Sequence, residues 1–434
     1  MLTSTDLLRR RRFLPLFVTQ VLGAFNDNLY KNAMVLFVVY AVYSSAEQEF
    51  WFSAIAQALF TLPFVLFSAL SGQLADMRDK AMIIRWVKIA EIGIMSVGAT
   101  GLVLATLGIG VHAIAIPLLL LALFAMGLHS TFFGPIKYAI LPQHLDRSEV
   151  LAGTGLVEAG TYLAVLGGTI LAGWISAEVA AILVILLAMV GYATGRQVPP
   201  APAQGAVEKI DFNIIRSSIN VVKGSMEDAR VYYAILAISL FWTIGAVLFI
   251  EFPPLAKNVL TASKEVASLF LVVFSIGVAI GSVSINALLK GDVSARFAPI
   301  SVLAMGAFVV AFHLVCKAWV PHDRLYGVME FIQLPLAAPL LLSLLGISIA
   351  GGMFVVPLYA FLTTVVDKSQ TARAVAANNF VNSFAMVGGS GVAIGLNFIG
   401  ISIVDQLLLA AAMCIVSAWL GWVLHKAELR LAPA

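Results

Sequence analysis

The chain has 434 residues, of which 61% are hydrophobic and only 11% charged, with a formal net charge of +3. Soluble proteins carry about 25% charged residues, so this balance argues against a soluble enzyme and makes a polytopic, all-α membrane protein the expected class. The two cysteines, Cys316 and Cys414, form no CxxC pair and no metal-ligand spacing, so neither a disulfide framework nor a metal or other cofactor is expected.

Apolar stretches of about 20 residues, enough to cross about 30 Å of hydrocarbon, occur twelve times. They lie near 13–43, 51–75, 82–107, 112–136, 150–174, 177–195, 231–255, 265–289, 295–316, 334–364, 372–398 and 403–425. The opening "MLTSTDLLRRRR" runs into an apolar segment too long for a signal-peptide core, so the first stretch is expected to stay as a helix. It carries Asn26, Asp27, Asn28, Lys31 and Asn32 where hydrocarbon should surround them. A charge at the bilayer centre costs roughly 2.5 to 3.5 kcal/mol, so such residues normally face a polar cavity. Asp27 and Lys31 stand four apart and share a helix face, where they can form an ion pair. Two readings are open. Either Asp27 meets a cationic substrate group or coupling ion while Lys31 balances it or meets a phosphate, or the two form a self-neutralised pair that locks the first helix to a neighbour.

Between the second and third spans lies "GQLADMRDK", with Gly72, Asp76 and Arg78 as candidate conformational residues. The third span holds Glu91 with Lys88 and Arg85 one and two turns earlier; Glu91 can form an i,i+3 pair with Lys88, while both cations are expected to snorkel toward the surface. "GLHSTFFGPIKYAILPQHL" (127–145) places Pro135, Lys137 and Tyr138 near the end of the fourth span, and Pro135 with Pro142 should bend or break that end. Lys137 reads as a phosphate contact or as an anchor to lipid headgroups. In the fifth span Glu158 stands among Gly155, Gly160, Thr161 and Tyr162; in the eleventh, Asn378, Asn379 and Asn382 form a matching polar group. These side chains either line one cavity or hold helices together by hydrogen bonds. Glu251, near the outer end of the seventh span, is expected to be hydrated.

Organisation follows from a repeat. Residues 147–169 and 368–390 align without gaps, pairing Glu158 with Asn379 and Gly167-Gly168-Thr169 with Gly388-Gly389-Ser390, and the preceding helices bring Pro135 near Pro357. Duplicated six-helix halves around a midplane site are the architecture of major facilitator transporters. The expected fold is therefore twelve transmembrane helices in two pseudo-symmetric halves, 1–195 and 231–434, joined by a central cytoplasmic loop, 196–230, with a short surface helix over 211–226. Of 26 lysines and arginines, only Lys257, Lys264, Lys317 and Arg324 fall outside, with Lys31 inside the membrane, so both termini are expected in the cytoplasm. No GxSxG, P-loop or HExxH signature occurs, so no enzyme is expected, and the basic residues follow membrane topology and not a nucleic-acid surface.

At "GAFNDNLYKNA", "FFGPIKYAILPQHL", "GTGLVEAGTYLA", "SLFWTIGA" and "GGMFVVPLYAFL" the chain resembles the lysophospholipid transporter family of the major facilitator superfamily. The resemblance implies movement of lysophospholipids, such as lyso-phosphatidylethanolamine, from the outer to the inner leaflet of a bacterial inner membrane. It implies re-acylation by an acyltransferase/acyl-ACP synthetase partner, expected in trans; a monomer is expected, with lateral substrate entry past the small residues of the fifth and eleventh spans, Gly167, Gly168, Gly388 and Gly389. It carries the family's substrate residues onto Asp27, Asn28 and Glu158, and its Pro-x-Lys-Tyr onto Pro135, Lys137 and Tyr138. "GQLADMRDK" is similar to the superfamily's short latch loop, which binds no substrate. A proton-driven exporter of hydrophobic drugs and a non-transporting scaffold for an acyltransferase are the rival readings.

Overall fold

A computed structural model describes residues 4–43, 46–203 and 210–431. Part of the central loop, including Lys209, thus lies outside the described residues. Twelve long helices form: α1 Leu14–Phe37, α2 Ala46–Met77, α3 Lys80–Thr106, α4 Ile116–Ala139, α5 Arg147–Trp174, α6 Ala177–Gly195, α7 Ala229–Asn258, α8 Lys264–Leu289, α9 Ala298–Ala318, α10 Ala337–Val365, α11 Thr371–Phe398 and α12 Ile403–Leu431. Among the described residues no strand appears beyond a single bridge between Ala262 and Tyr326. Among the described residues ten helices are long and apolar enough to cross a membrane; α1 and α11 are the long helices left out of that set. These are the two in which Asn and charged residues dilute the apolar run.

Local chemistry sets the ends. Asp79 caps α3 by accepting from the amides of Ala81 and Met82, and Asp228 caps α7 at the amide of Arg230. α4 continues through Pro135 to Ala139, and Pro142 opens a separate turn at Leu141–His144, so the helix end is broken as its prolines dictate. Pro63 and Pro357 sit inside α2 and α10. The surface helix runs over Ile214–Ser225 and is fastened to α2 by Gln73, whose side chain meets Ser217 and accepts from the amide of Asp211.

The contacts divide the chain into two compact units. The first comprises Met1–Asp146, Gly160–Gly224 and Val366–Phe380. In it α3 packs on α4 and α6, α1 on α6, and α2 on α4, around a core of Leu29, Tyr30, Met34, Met95, Leu119 and Met126. The second comprises Arg147–Ala159, Ser225–Val365 and Val381–Ala434. There α10 packs on α7, α8 and α9, while α12 packs on α7 and α9, with an aromatic cluster at Phe252, Phe270, Phe312 and Phe331.

Candidate functional site

The polar residues of α1 divide between two faces. Asn26 is fully buried and donates to Glu91 Oε1 and to the carbonyl of Val184, both at 3.0 Å. One residue on, about 100° round the helix, Asp27 is half-buried and its Oδ2 accepts from Ser130 Oγ of α4 at 2.6 Å. Lys31 is also half-buried, and its ammonium lies 5.3 Å from the centre of the Phe60 ring of α2. Asp27 and Lys31 therefore turn to different neighbours while still interacting electrostatically. Asn32 donates to Thr169 Oγ1 of α5 at 3.1 Å, and Asn28 bonds back to the carbonyl of Ala24. The outcome is a half-open seam on the first unit that offers a carboxylate, an ammonium and two amides within three turns.

Behind the seam is a buried cluster in which the i,i+3 pair of Lys88 and Glu91 forms, and the snorkelling expected of Lys88 does not occur. The Lys88 Nζ lies 2.6 Å from Glu91 Oε2, and the side chains are 0% and 2% exposed. His129 of α4 brings Nε2 to 3.3 Å from the same oxygen, and the Lys88 ammonium stands 5.3 Å over the Phe133 ring. The reason is space. A Cβ on Gly23 would fall 2.7 Å from Lys88 Nζ, and Gly191 and Gly195 lie along its stem, so three glycines clear an inward slot for a side chain expected to point out. The detectable signal was Gly191 and Gly195, four apart on one face of α6.

Asp76, in the last turn of α2, is 2% exposed and accepts from the amides of Ala372 and Arg373, one on each oxygen at 2.9 Å. A carboxylate there satisfies two donors at the start of α11 and faces the positive end of its dipole. Gly72, one turn earlier, lets α2 approach: a Cβ would lie 2.6 Å from that of Ala376. Arg78 is exposed, outside this contact.

The polar residues of α5 and α11 belong partly to each unit. Asn382 accepts from Ser239 Oγ at 2.7 Å and donates to Tyr359 OH at 3.5 Å; Trp242 Nε1 also donates to Tyr359 OH, at 2.9 Å. These residues form a polar node in the second unit. Asn379 belongs to the first unit, where its Nδ2 would be 3.3 Å from a Cβ on Gly134, next to Pro135. Asn378, Glu158 and Tyr162 are buried, and Lys137 lies over the Tyr138 ring at 4.9 Å. Of the paired glycines, Gly168 is pressed on the Phe25 carbonyl, Gly167 on the Phe25 ring and Gly389 on Thr243, whereas Gly388 has nothing within 4 Å of an added Cβ. Glu251, expected to be hydrated, is instead 3% exposed, with neither carboxylate oxygen hydrogen-bonded among the described residues. Its helix continues to Asn258, and the adjoining Phe252 packs into the aromatic cluster, which moves Glu251 inward from the helix end.

Comparisons agree with this architecture. The chain is 27% identical over 416 residues to the lysophospholipid transporter LplT of Escherichia coli (strain K12), covering 93% of this chain and 94% of that protein. The same figures hold for LplT of Escherichia coli O157:H7. A bacterial homologue of the iron transporter ferroportin, in an outward-facing state, shares the fold at TM-score 0.70 and 13% identity, over 97% of this chain and 100% of that one. The human organic anion transporter MFSD10 does so at TM-score 0.69 and 13% identity, over 96% and 99%. The Major Facilitator Superfamily model matches residues 16–390, and the chain, a multi-pass membrane transporter, belongs to that superfamily.

Proposed function

We propose that this protein is a lysophospholipid transporter whose headgroup site is the half-open seam of α1. One observation carries the reading: Asp27 and Lys31 lie in an apolar helix, each drawn to a different neighbour, so opposite charges are offered together, and one Asp27 oxygen is left without a hydrogen-bond partner among the described residues. A zwitterionic headgroup needs that pairing, with its amine at Asp27 and Asn28 and its phosphate at Lys31, while a single acyl chain remains in lipid. Similarity to LplT across nearly the whole chain supports the substrate class. Glu158, Tyr162, Asn379 and Asn382 are the further substrate-binding residues of this proposal. Asp76 with Gly72, the neighbouring Arg78, the prolines Pro135 and Pro357, and the Lys137–Tyr138 pair serve the conformational cycle. In this proposal the protein works as a monomer in a bacterial inner membrane with both termini cytoplasmic. Lipid enters sideways from the outer leaflet, and alternating access delivers it inward to an acyltransferase in trans.

Fluorescent lyso-phosphatidylethanolamine flipping in proteoliposomes tests this. Wild-type protein should flip the lipid, and Asp27→Ala, Lys31→Ala and Glu158→Ala should each slow it at least tenfold. Absence of flux above protein-free vesicles would refute the reading; proton-dependent movement of hydrophobic cations without lysolipid flux would establish the exporter in its place.

A further inference from the structure

The surface helix of the central loop, Ile214–Ser225, is turned opposite to what docking alone requires. A helix that only covers its own protein presents its apolar stripe inward and its polar side to water. Here the most deeply buried side chains described on the helix are polar. Ser217 and Ser218 are 2% and 6% exposed, and Ser217 meets the side chain of Gln73, which also accepts from the amide of Asp211 at 3.1 Å. On the other side Arg216, Ile219 and Lys223 follow one another at helical spacing and are exposed, and Phe212, four residues before Arg216, is 75% exposed. Asn213, between them, caps the helix by accepting from the amide of Arg216. An aromatic ring, a guanidinium, an aliphatic side chain and an ammonium thus form one outward stripe.

Position gives the stripe its surroundings. Gln73 stands four residues before Met77, the end of α2, and so about 6 Å along the axis from it. The second span is expected to run to 75, so a helix fastened at Gln73 lies beside the last turn of α2, level with the edge of the hydrocarbon. Interfacial helices sit at this depth, with an apolar face sunk about 5–10 Å into the boundary between headgroups and acyl chains and with Lys or Arg among the headgroups. Charge agrees. Between Ile210 and Ser225 the charged residues are Asp211, Arg216 and Lys223, a net of +1. Asp211 takes up Arg216 through hydrogen bonds of 2.9 and 2.8 Å, and Lys223 has no ion-pair partner among the described residues.

We infer that the stripe of Phe212, Arg216, Ile219 and Lys223 is an interaction surface for anionic phospholipid. Phe212 and Ile219 enter the headgroup layer of the adjoining leaflet, Lys223 meets a lipid phosphate, and Arg216, held by Asp211, borders the same layer. The leaflet is the cytoplasmic one in the orientation proposed above. This surface takes bulk lipid and is separate from the headgroup seam of α1, so it holds whichever molecule the protein carries. Through Gln73 it connects the leaflet to the turn of α2 where Gly72 and Asp76 meet α11.

Nitroxide labels at Ile219→Cys and, as a reference in the turn after the helix, at Glu227→Cys test this in the full chain reconstituted in nanodiscs, in a Cys316→Ser/Cys414→Ser background. The readout is the ratio of oxygen to nickel-chelate accessibility, which rises as a label leaves water for lipid. In discs of phosphatidylcholine with about one third phosphatidylglycerol, the ratio at position 219 should exceed that at 227 roughly threefold or more. It should fall toward the reference in phosphatidylcholine alone. Lys223→Gln should shift the equilibrium between immersed and water-exposed label about fivefold toward water in the anionic discs. Should a cysteine variant fail to fold, amide exchange over 212–225 in wild-type protein gives a second reading: protection should rise from neutral to anionic discs. Equal ratios at 219 and 227 in both lipids would put the stripe in water, as a docking face for a soluble protein, and overturn the lipid surface. Immersion or protection that is the same in neutral and anionic discs would overturn the preference for anionic lipid. None of these readouts measures lysolipid flux, so failure here leaves the proposed transport function standing, and absence of flux leaves this surface standing.

Discussion

Glu91 holds Lys88 at 2.6 Å from one turn further along α3, with both side chains shut away from solvent. An ion pair in such surroundings contributes little net stability, because desolvation offsets the attraction, but removing one partner leaves an uncompensated buried charge. Asn26 and His129 complete the environment of Glu91. Glu91→Ala should therefore destabilise the protein by about 3–5 kcal/mol. The double variant Lys88→Met/Glu91→Leu should recover most of that loss. Thermal unfolding in detergent, read as a difference between single and double variants, checks both; equal loss in the two would show that the charge itself is not the cause.

Asp76 satisfies two backbone amides at the start of α11, a task that an uncharged methyl cannot take over. Asp76→Ala should cost about 1–2 kcal/mol through the lost cap and dipole interaction, and Asp76→Asn should cost less because it keeps an acceptor. Protection of the Ala372 and Arg373 amides in hydrogen exchange should fall in the order wild type, Asn, Ala.

The duplicated glycines should respond unequally. A side chain at Gly168 would collide with the Phe25 carbonyl, while Gly388 faces open space. Gly168→Val should destabilise by about 1–3 kcal/mol through overpacking against α1, and should impair lysolipid flipping if the seam on α1 binds the headgroup. Gly388→Ala should leave thermal stability within about 0.5 kcal/mol of wild type. Equal melting shifts would contradict the packing described for α5.

Outside the membrane-spanning segments, Asp211 is held below the usual carboxylate range by its hydrogen bonds from Arg216 and the amide of Asn213. A carboxylate depressed in the folded state supports structure above its unfolded value, near pH 3.9, and that support is lost as pH falls through the lower folded value. Limited proteolysis near the Ile214–Ser225 helix should therefore accelerate on acidification below about pH 4, and Asp211→Asn should show the faster cleavage already at neutral pH.

The twelve helices were legible because length and apolarity alone specify a membrane crossing, and even α1 and α11 kept enough apolar residues to be placed. The direction in which a side chain leaves its helix was less legible. Lys88 at one turn from Glu91 is compatible with an outward or an inward course, and what selects the inward one is the absence of side chains at Gly23, Gly191 and Gly195 on two other helices. The repeat pairs Glu158 with Asn379 in sequence, but repeat position does not specify hydrogen-bond partners. Asn382 obtained Ser239 and Tyr359, which lie inside two of the matching strings but were not marked by them as its partners. Asp76 was readable from its loop, whereas its acceptance of two consecutive α11 amides required the fold.

Because α1 presents Asn26 to the interior and Asp27 and Lys31 to the half-open side, its two faces are tied to one rotational phase. Deleting a single residue between Gly23 and Asn26 would turn everything beyond it by about 100°, carrying the acid and the base into the buried positions of Asn26 and Tyr30. Point changes in this stretch can be accommodated one contact at a time, but a change in its length cannot, and homologous chains should vary here in composition while preserving the residue count.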